Sequence, residues 1–598
     1  MADFKNPQQE PGTERRLLLV FLLTFVVLII FQIFVKKPQP PATPPPQNQS
    51  AQTAAAPPVP ARPAASASTV PALTPSSTVT KQAAAETETV IENDLYRITF
   101  TNRGAQVKSW ILKKFDNDAQ NGLLDLVNST AAQKFGYPLS LWTYDETLRG
   151  RLNSALYVAS NEGQLTAPAT ISFEYADQDL VVRKTFHFDH TYVLNLETSV
   201  VYQGAEIFAP PAWPAGFGDE QIPSAYAAAG IDYHNDASTE RSGYIFFPSY
   251  VTRIPVRGVS GGNTIKGPFE WAGPNDQYFT AIFIPDDPST AAMVTLHASM
   301  EIPQKPGLSP VGAGSKDTAN VEVGGAAVGS LRGRTVQRMY VGPKELAVLD
   351  AVSVPTIKND SPDLRGIVNF GWWGILARPL FLWLKWTYNH VVHNWGWAIV
   401  IQTLIITILL LPLRITQMKS TLKMQRVAPQ IKAIQEKYKK YSMRDPRKAA
   451  MNEEIGALYK KEGVNPAGGC LPVLIQFPFL IAYYRMLGVA LDLRHAHWLW
   501  IKDLSASDWV LPILMVISMI VMQRMTPQAG MDPAQQKMMM WMMPLFMGVI
   551  FFKLQAGLNL YYTESNLISI AQQAVMNRTH LGREMREMME KRARKKDK

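Results

Sequence analysis

Hydrophobic and polar positions fall into three regimes along the chain. From Leu17 to Val35 no charge interrupts 19 residues, enough at about 1.5 Å per residue to cross a ~30 Å hydrocarbon core. Lys36, Lys37 and Pro38 follow where a signal peptide would have a small-residue cleavage site, so residues 17–35 are predicted to be an uncleaved signal-anchor transmembrane helix behind a cytoplasmic N-terminus, 1–16. Residues 36–86 are rich in Pro, Ala, Ser and Thr and predict an extended spacer that cannot bury a core. From residue 87 to about 350 the pattern alternates with period two, as in Leu95 to Phe100 and Val181 to Phe188, between Gly, Pro, Asn and Asp breaks. This predicts an all-β sandwich domain.

The third regime begins after Asn369. Gly371 to His390 mixes Trp372, Trp373, Trp383, Trp386 and Tyr388 with Arg378 and Lys385, which predicts an amphipathic interfacial helix over 371–390. Apolar stretches then predict transmembrane helices over 395–413, 471–491, 506–524, 537–553 and 557–576, six spans with the anchor. The uncharged stretches Trp509 to Met522 and Met538 to Phe552 are short for a bilayer, which implies completion by flanking residues or a thinned membrane. Between the first two core spans, Ile431, Ile434 and Tyr438 repeat at helical spacing after Pro429, and Met451, Ile455, Leu458 and Tyr459 repeat after Asp445 and Pro446. Residues 414–465 are therefore expected to form a capped helical hairpin, read as a docking surface in preference to a merely solvated loop.

Charge sets the orientation. The chain has 598 residues, a net charge of +10 and only 18% charged residues, below the roughly 25% usual for soluble domains. Thirteen Lys and Arg lie between Pro412 and Cys470, two between Gln523 and Lys537, and nine from Asn577 onward, whereas Asp492 to Asp508 and Lys553 to Gly557 hold two and one. The positive-inside rule then puts both termini in the cytoplasm, with the basic tail 577–598, and the β-domain in the periplasm of a bacterial inner membrane. Nine of 14 Trp fall near the outer faces, at 372–397 and 498–509, as an aromatic belt would.

Chemistry-bearing motifs are sparse. The single cysteine, Cys470, excludes an intramolecular disulfide and a multi-cysteine zinc site. His187, Asp189, His190, His234, Asp219 and Glu220 are the candidates for an enzyme in the β-domain, and their types and spacing suit solvated or packed roles better than catalysis. No GxxxxGK[ST] or strand-linked GxGxxG supports nucleotide binding, so no cofactor, metal or catalytic residue is expected. A secondary transporter lacks its repeated halves here. A membrane-anchored carbohydrate-active protein built on the β-domain is a third reading.

Four stretches in register carry a more specific signal: NWGWAIVIQTLIITILLLPL (Asn394 to Leu413), ALYKKEGVNPAGGCLPVLIQFPFLIAYY (Ala457 to Tyr484), DPAQQKMMMWMMP (Asp532 to Pro544) and GLNLYYTESNLISIAQQ (Gly557 to Gln573). Order, spacing and topology resemble the YidC/Oxa/Alb family of membrane-protein insertases over essentially the whole chain. The resemblance implies a polytopic α-helical membrane protein with six transmembrane helices, five forming the core, and a periplasmic β-supersandwich. It also implies a polar groove open to cytoplasm and lipid, through which transmembrane segments are inserted and folded alone or beside the Sec translocon without nucleotide hydrolysis. Partners would be nascent inner-membrane proteins, the Sec translocon, and the ribosome or anionic lipid at the hairpin and basic tail.

The resemblance places Thr403, Gln476 and Tyr562 in or beside the groove, with Tyr561, Thr563 and Asn566 as polar neighbours. It departs at one position: where members commonly carry an arginine, this chain has Thr407. Arg485 is the expected substitute, being the one basic residue away from the ends of a predicted span. Counted from the outer ends, Gln402, Arg485 and Glu564 fall at similar depth, so they are expected to converge, with an Arg485–Glu564 ion pair at the centre of the layer.

Overall fold

The computed structural model describes residues 80–234, 242–244, 247–249, 251–303, 318–354, 364–371, 373–438, 440–441, 445–464, 471–525 and 533–579. The signal anchor 17–35, the spacer up to residue 79 and the tail from residue 580 lie outside them.

Period-two alternation becomes three main sheets. The largest runs Val251–Pro255, Gly230–His234, Trp271–Asn275, Phe279–Pro285, Thr335–Pro343, Val193–Tyr202, Leu180–Phe188, Ala169–Ala176, Val158–Ala159, and Ala205–Glu206 pairs with Val193–Tyr202. A five-stranded sheet orders Leu123–Asp125, Gln106–Asp116, Tyr96–Thr101, Glu88–Glu92 and Gly163–Thr166. The other five-stranded sheet is built around a long hairpin, Ala291–Pro303 against Thr318–Ser330, in register from Ala291↔Ser330 to Pro303↔Thr318. Inward aromatics join the layers: Phe100 lies 5.1 Å from Phe186 and 5.7 Å from Phe173 between ring centroids, and Trp110 lies 6.0 Å from Trp213. These rings bury large apolar areas at the spacing edge and offset contacts favour.

The helical half follows as α1 (Gly374–His390), α2 (Trp395–Leu409), α3 (Leu411–Lys437), α4 (Arg447–Lys461), α5 (Leu471–Val489), α6 (Val510–Met525), α7 (Pro533–Phe551) and α8 (Ala556–Arg578). Asn394 caps α2 by accepting the Trp397 N–H at 3.2 Å. Three expectations change here. The first core span breaks at Leu410 and bends by 50° into α3, because Pro412 lacks an N–H and crowds the preceding turn. Pro429 does not start a helix; it sits inside α3, which already runs from Leu411. Before α4 the Asp445 Oδ1 accepts the Arg447 N–H at 3.0 Å, but the residue at the cap is Pro446, one position later than expected, because the helix starts only at Arg447. Helices α3 and α4 share a small core of Val427, Ile431 and Val464 with Met424, Ile455, Leu458 and Tyr459 against it.

Among the described residues no single helix is long and apolar enough to cross a membrane; the bent pair Trp395–Leu409 with Leu411–Gln417 could, and Phe477–Val489, Val510–Met525 and Met540–Phe551 are shorter apolar helices.

The two halves meet through a polar junction over a continuous apolar core. Arg494, in the loop between α5 and α6, donates to the Asp116 carbonyl and to Asp118 Oδ1, each at 2.8 Å, with its guanidinium over the Phe279 ring. Lys385 on α1 bridges Glu345 at 2.9 Å and Asp492 at 3.3 Å. Gln277 donates to the Gly488 carbonyl at the end of α5, at 3.0 Å.

Candidate functional site

Polar side chains from three apolar helices converge behind α1. Gln402 on α2 is fully buried; its amide donates to the Leu380 carbonyl at 2.9 Å, and its Oε1 accepts the Tyr483 hydroxyl at 2.5 Å. Tyr483 on α5 stacks on Tyr561 of α8, with centroids 4.1 Å apart and planes 15° from parallel. Glu564, one turn further along α8, faces the Thr403 hydroxyl and Tyr483. Its Oε2 is buried without a hydrogen-bond partner. The seam continues along α8, where Asn566 donates to Ser518 of α6 at 3.1 Å and Asn559 donates to the Phe551 carbonyl at 3.0 Å. In a helix with little water around it, such groups bond to one another or to backbone because the alternative is an unsatisfied dipole.

The expected residues thus divide. Gln402, Thr403 and Glu564 come together. Thr403 and Thr407 are buried with hydroxyls turned to their own helix, on the Ile399 and Thr403 carbonyls at 2.7 Å each, the local bond that short hydroxyl side chains make inside helices. Tyr562 is half-buried against Phe551, with centroids 5.1 Å apart. The Gln476 side chain lies outside the described residues, as do those of Met538 and Met539.

Arg485 is the correction. It is exposed, and a Cβ built on Gly371 would stand 3.7 Å from its Nε. No ion pair joins it to Glu564. Equal depth did not bring the two together, because depth fixes a level in the membrane and leaves the side of the helix open. Arg485 points out toward the segment that enters α1.

Two members of the cluster were missed. Tyr483 sits in an uninterrupted apolar run, where nothing separates it from ordinary bulk. Arg414 lies two residues past Pro412, at the far edge of the predicted span; the 50° bend carries it, half-buried, beside Tyr561 and Tyr562.

In the β-domain the candidate catalytic residues take unrelated partners. His187 bonds Thr170 at 2.7 Å, and His234 bonds the buried Glu270 at 2.9 Å. Asp219 and Glu220 are buried beside Asp276, and burial followed by the Asp276 charge pushes both carboxyls well above the ordinary carboxylate range. Among the described residues, no three His, Cys, Asp or Glu side chains are grouped so as to hold a metal ion.

A bundle of largely apolar helices with a polar seam is joined to a large β-domain through α1 and the loop after α5. Residues 386–583 match the 60Kd inner membrane protein family, and residues 88–383 match the YidC periplasmic domain. The chain is 31% identical to a membrane protein insertase YidC of Citrifermentans bemidjiense over 82% of this chain and 85% of that one. It is 43% identical to the one of Wolinella succinogenes over 40% and 42% of the two chains. The chain belongs to the YidC family of membrane protein insertases. Among solved structures it is similar to an active YidC insertase with its first transmembrane domain resolved (18% identity, TM-score 0.35, covering 84% of this chain and 95% of that one). It is also similar to a galactose mutarotase-like protein from Lactobacillus casei (11% identity, TM-score 0.25, covering 43% and 99%).

Proposed function

We propose that the seam formed by Gln402, Thr403, Tyr483, Tyr561, Tyr562 and Glu564, with Thr407 beneath it and Arg414 at its inner end, is the path along which this insertase moves the polar flank of a passenger helix. The convergence of Gln402 and Tyr483, from two largely apolar helices, on the polar face of α8 that carries Glu564 supports the reading. A passenger segment gains roughly 0.3 to 0.6 kcal/mol per Leu, Ile or Phe on entering lipid, while each charge drawn through the centre costs about 2.5 to 3.5. The flank is therefore the barrier. Side chains that exchange hydrogen bonds with it partway lower that barrier, and the short apolar helices shorten the remaining path. No bond to the passenger forms or breaks in this reading.

The basic loops support an orientation with both termini, the α3–α4 hairpin and the tail in the cytoplasm and the β-domain in the periplasm of the inner membrane. Nascent inner-membrane proteins are the substrates in this reading. The hairpin and tail suit ribosomal RNA or anionic lipid, and the Sec translocon is a partner at the bundle. The exposed Met542 and Met543 on α7 offer an adaptable surface to varied passengers.

The test is insertion of a single-span passenger into vesicles carrying the full chain, read by protease protection of its translocated end. Alanine at Gln402, Thr403 and Tyr562 together is expected to lower protection at least tenfold. Undiminished protection, with the variant present at wild-type level, would remove the seam from the path.

A further inference from the structure

We infer that Arg485 binds the phosphodiester of an outer-leaflet phospholipid and holds it beside Gly371, where the chain enters α1. The inference rests on the membrane placement of the helices in the reading above and goes beyond it by assigning a lipid to one side chain. Arg485 is the one charged residue of α5, Leu471–Val489. It lies four residues before the end of that helix, about 6 Å along the axis, and its side chain is exposed. Among the described residues it has neither a hydrogen bond nor an ion pair.

Two contacts put the guanidinium at the level of the headgroups. Three residues on, about 4.5 Å further along α5, the Gly488 carbonyl accepts from Gln277 of the β-domain at 3.0 Å. Arg485 therefore lies just beneath the floor of that domain. A Cβ built on Gly371 would stand 3.7 Å from its Nε and 3.8 Å from its Cζ, so the guanidinium lies beside the start of α1, with that flank left uncovered by the glycine. Helix α1 buries Leu380 and Leu384 and leaves Ile375, Leu382 and Trp386 exposed along one stripe. An apolar stripe on the outside is what a helix lying in the headgroup region offers to lipid. A cation at this edge of the hydrocarbon extends its head to the interface, where the phosphodiester is the anion at hand. The planar fork of an arginine gives two parallel N–H bonds to one phosphate, and with no carboxylate on it here, both are free.

The experiment uses the full chain, purified in mild detergent and stripped of its own lipid. Native mass spectrometry reads the lipid retained as phosphatidylglycerol, or diacylglycerol with the same chains, is titrated in. The wild type is expected to bind phosphatidylglycerol about tenfold more tightly than diacylglycerol. Arg485→Gln should remove that preference and leave diacylglycerol binding as in wild type. Glycerophosphoglycerol, the headgroup without its chains, should not displace the lipid at equal concentration. Equal retention of the two lipids by the wild type overturns the inference, and so does an Arg485→Gln preference equal to wild type. Displacement by glycerophosphoglycerol as effective as by the intact lipid would make this a site for soluble phosphate esters and overturn the lipid assignment. If Arg485→Gln fails to accumulate, the wild-type ratio and the headgroup competition still decide. A wild type that stays dispersed in buffer without detergent or vesicles overturns the membrane placement itself, an outcome distinct from lipid binding without preference.

Discussion

Lys184 occupies an inward position of the strand Leu180–Phe188, where alternation puts Leu180, Val182, Phe186 and Phe188 in the core. Its ammonium is fully buried and donates to the carbonyls of Gly104, Ala105 and Leu139 at 2.7, 3.1 and 2.8 Å. Three donors meeting three acceptors let a cation replace water in the interior, although burial still pulls its pKa down to about 7. Removing the donor strands the carbonyls. Lys184→Met is expected to cost roughly 3 kcal/mol, seen as a lower midpoint for the β-domain transition in denaturant unfolding of the full chain. In the sequence Lys184 reads as one more polar residue of a half-exposed strand; only the three carbonyls, from distant segments, explain it. Glu564 is the opposite case. Its chemistry was legible because a charge stands out in an apolar helix, while its partners were not.

At the scale of elements, α2 shows how local signals and packing divide the work. Asn394 both caps the helix and donates to the His497 carbonyl at 3.0 Å, tying the helix start to the loop after α5. Gly396, two residues on, is where that loop lies against the helix: an added Cβ would meet Trp498 Cγ at 2.1 Å and Cδ1 at 2.2 Å. Such overpacking costs typically 1 to 3 kcal/mol. Gly396→Val is therefore expected to displace Trp498, detach the loop, and raise protease cleavage within residues 494–501 several-fold, whereas Gly488→Ala, with no neighbour closer than 3.7 Å, should leave cleavage as in wild type. The cap was readable as a residue type at a boundary. The glycine's reason was not, because the ring it accommodates comes from about a hundred residues away.

At the scale of the whole molecule, the junction between β-domain and helices contains buried charge of both signs. Asp219, Glu220 and Asp276 crowd together; Arg494 faces Asp219, while Asp232 pairs with Arg253 at 3.3 Å and faces Lys344. Lys344 is in turn bonded to the Asp276 carbonyl at 2.9 Å. Asp219 and Glu220 hold protons more tightly folded than unfolded, so the stability they contribute is fully present below the ordinary carboxylate range and is lost as pH rises through their elevated native values. Glu86 and Glu92 have the reverse sign: ion pairs with Lys108, Arg103, Arg97 and Lys113 lower both to about 2, and their contribution is lost as pH falls below about 4.5. The unfolding temperature of the full chain is therefore expected to peak near pH 5 and decline toward pH 7. Asp219→Asn should flatten that decline, and an unaltered slope would show that the cluster does not govern it.

The sequence by itself determined which stretches are strand and which are helix, since period and composition reflect which surroundings each face meets. It also carried the family, through motifs whose residues are close neighbours along the chain. The tertiary structure decided where Pro412 bends the first core helix, which way Arg485 points, and that Tyr483 and Arg414 join the polar cluster while the Arg485–Glu564 pair does not form. The physical reason is the same in each case. Hydrophobic patterning constrains depth and the burial of a face, but the rotation and bending of one helix against another are set by packing among residues that the chain keeps far apart.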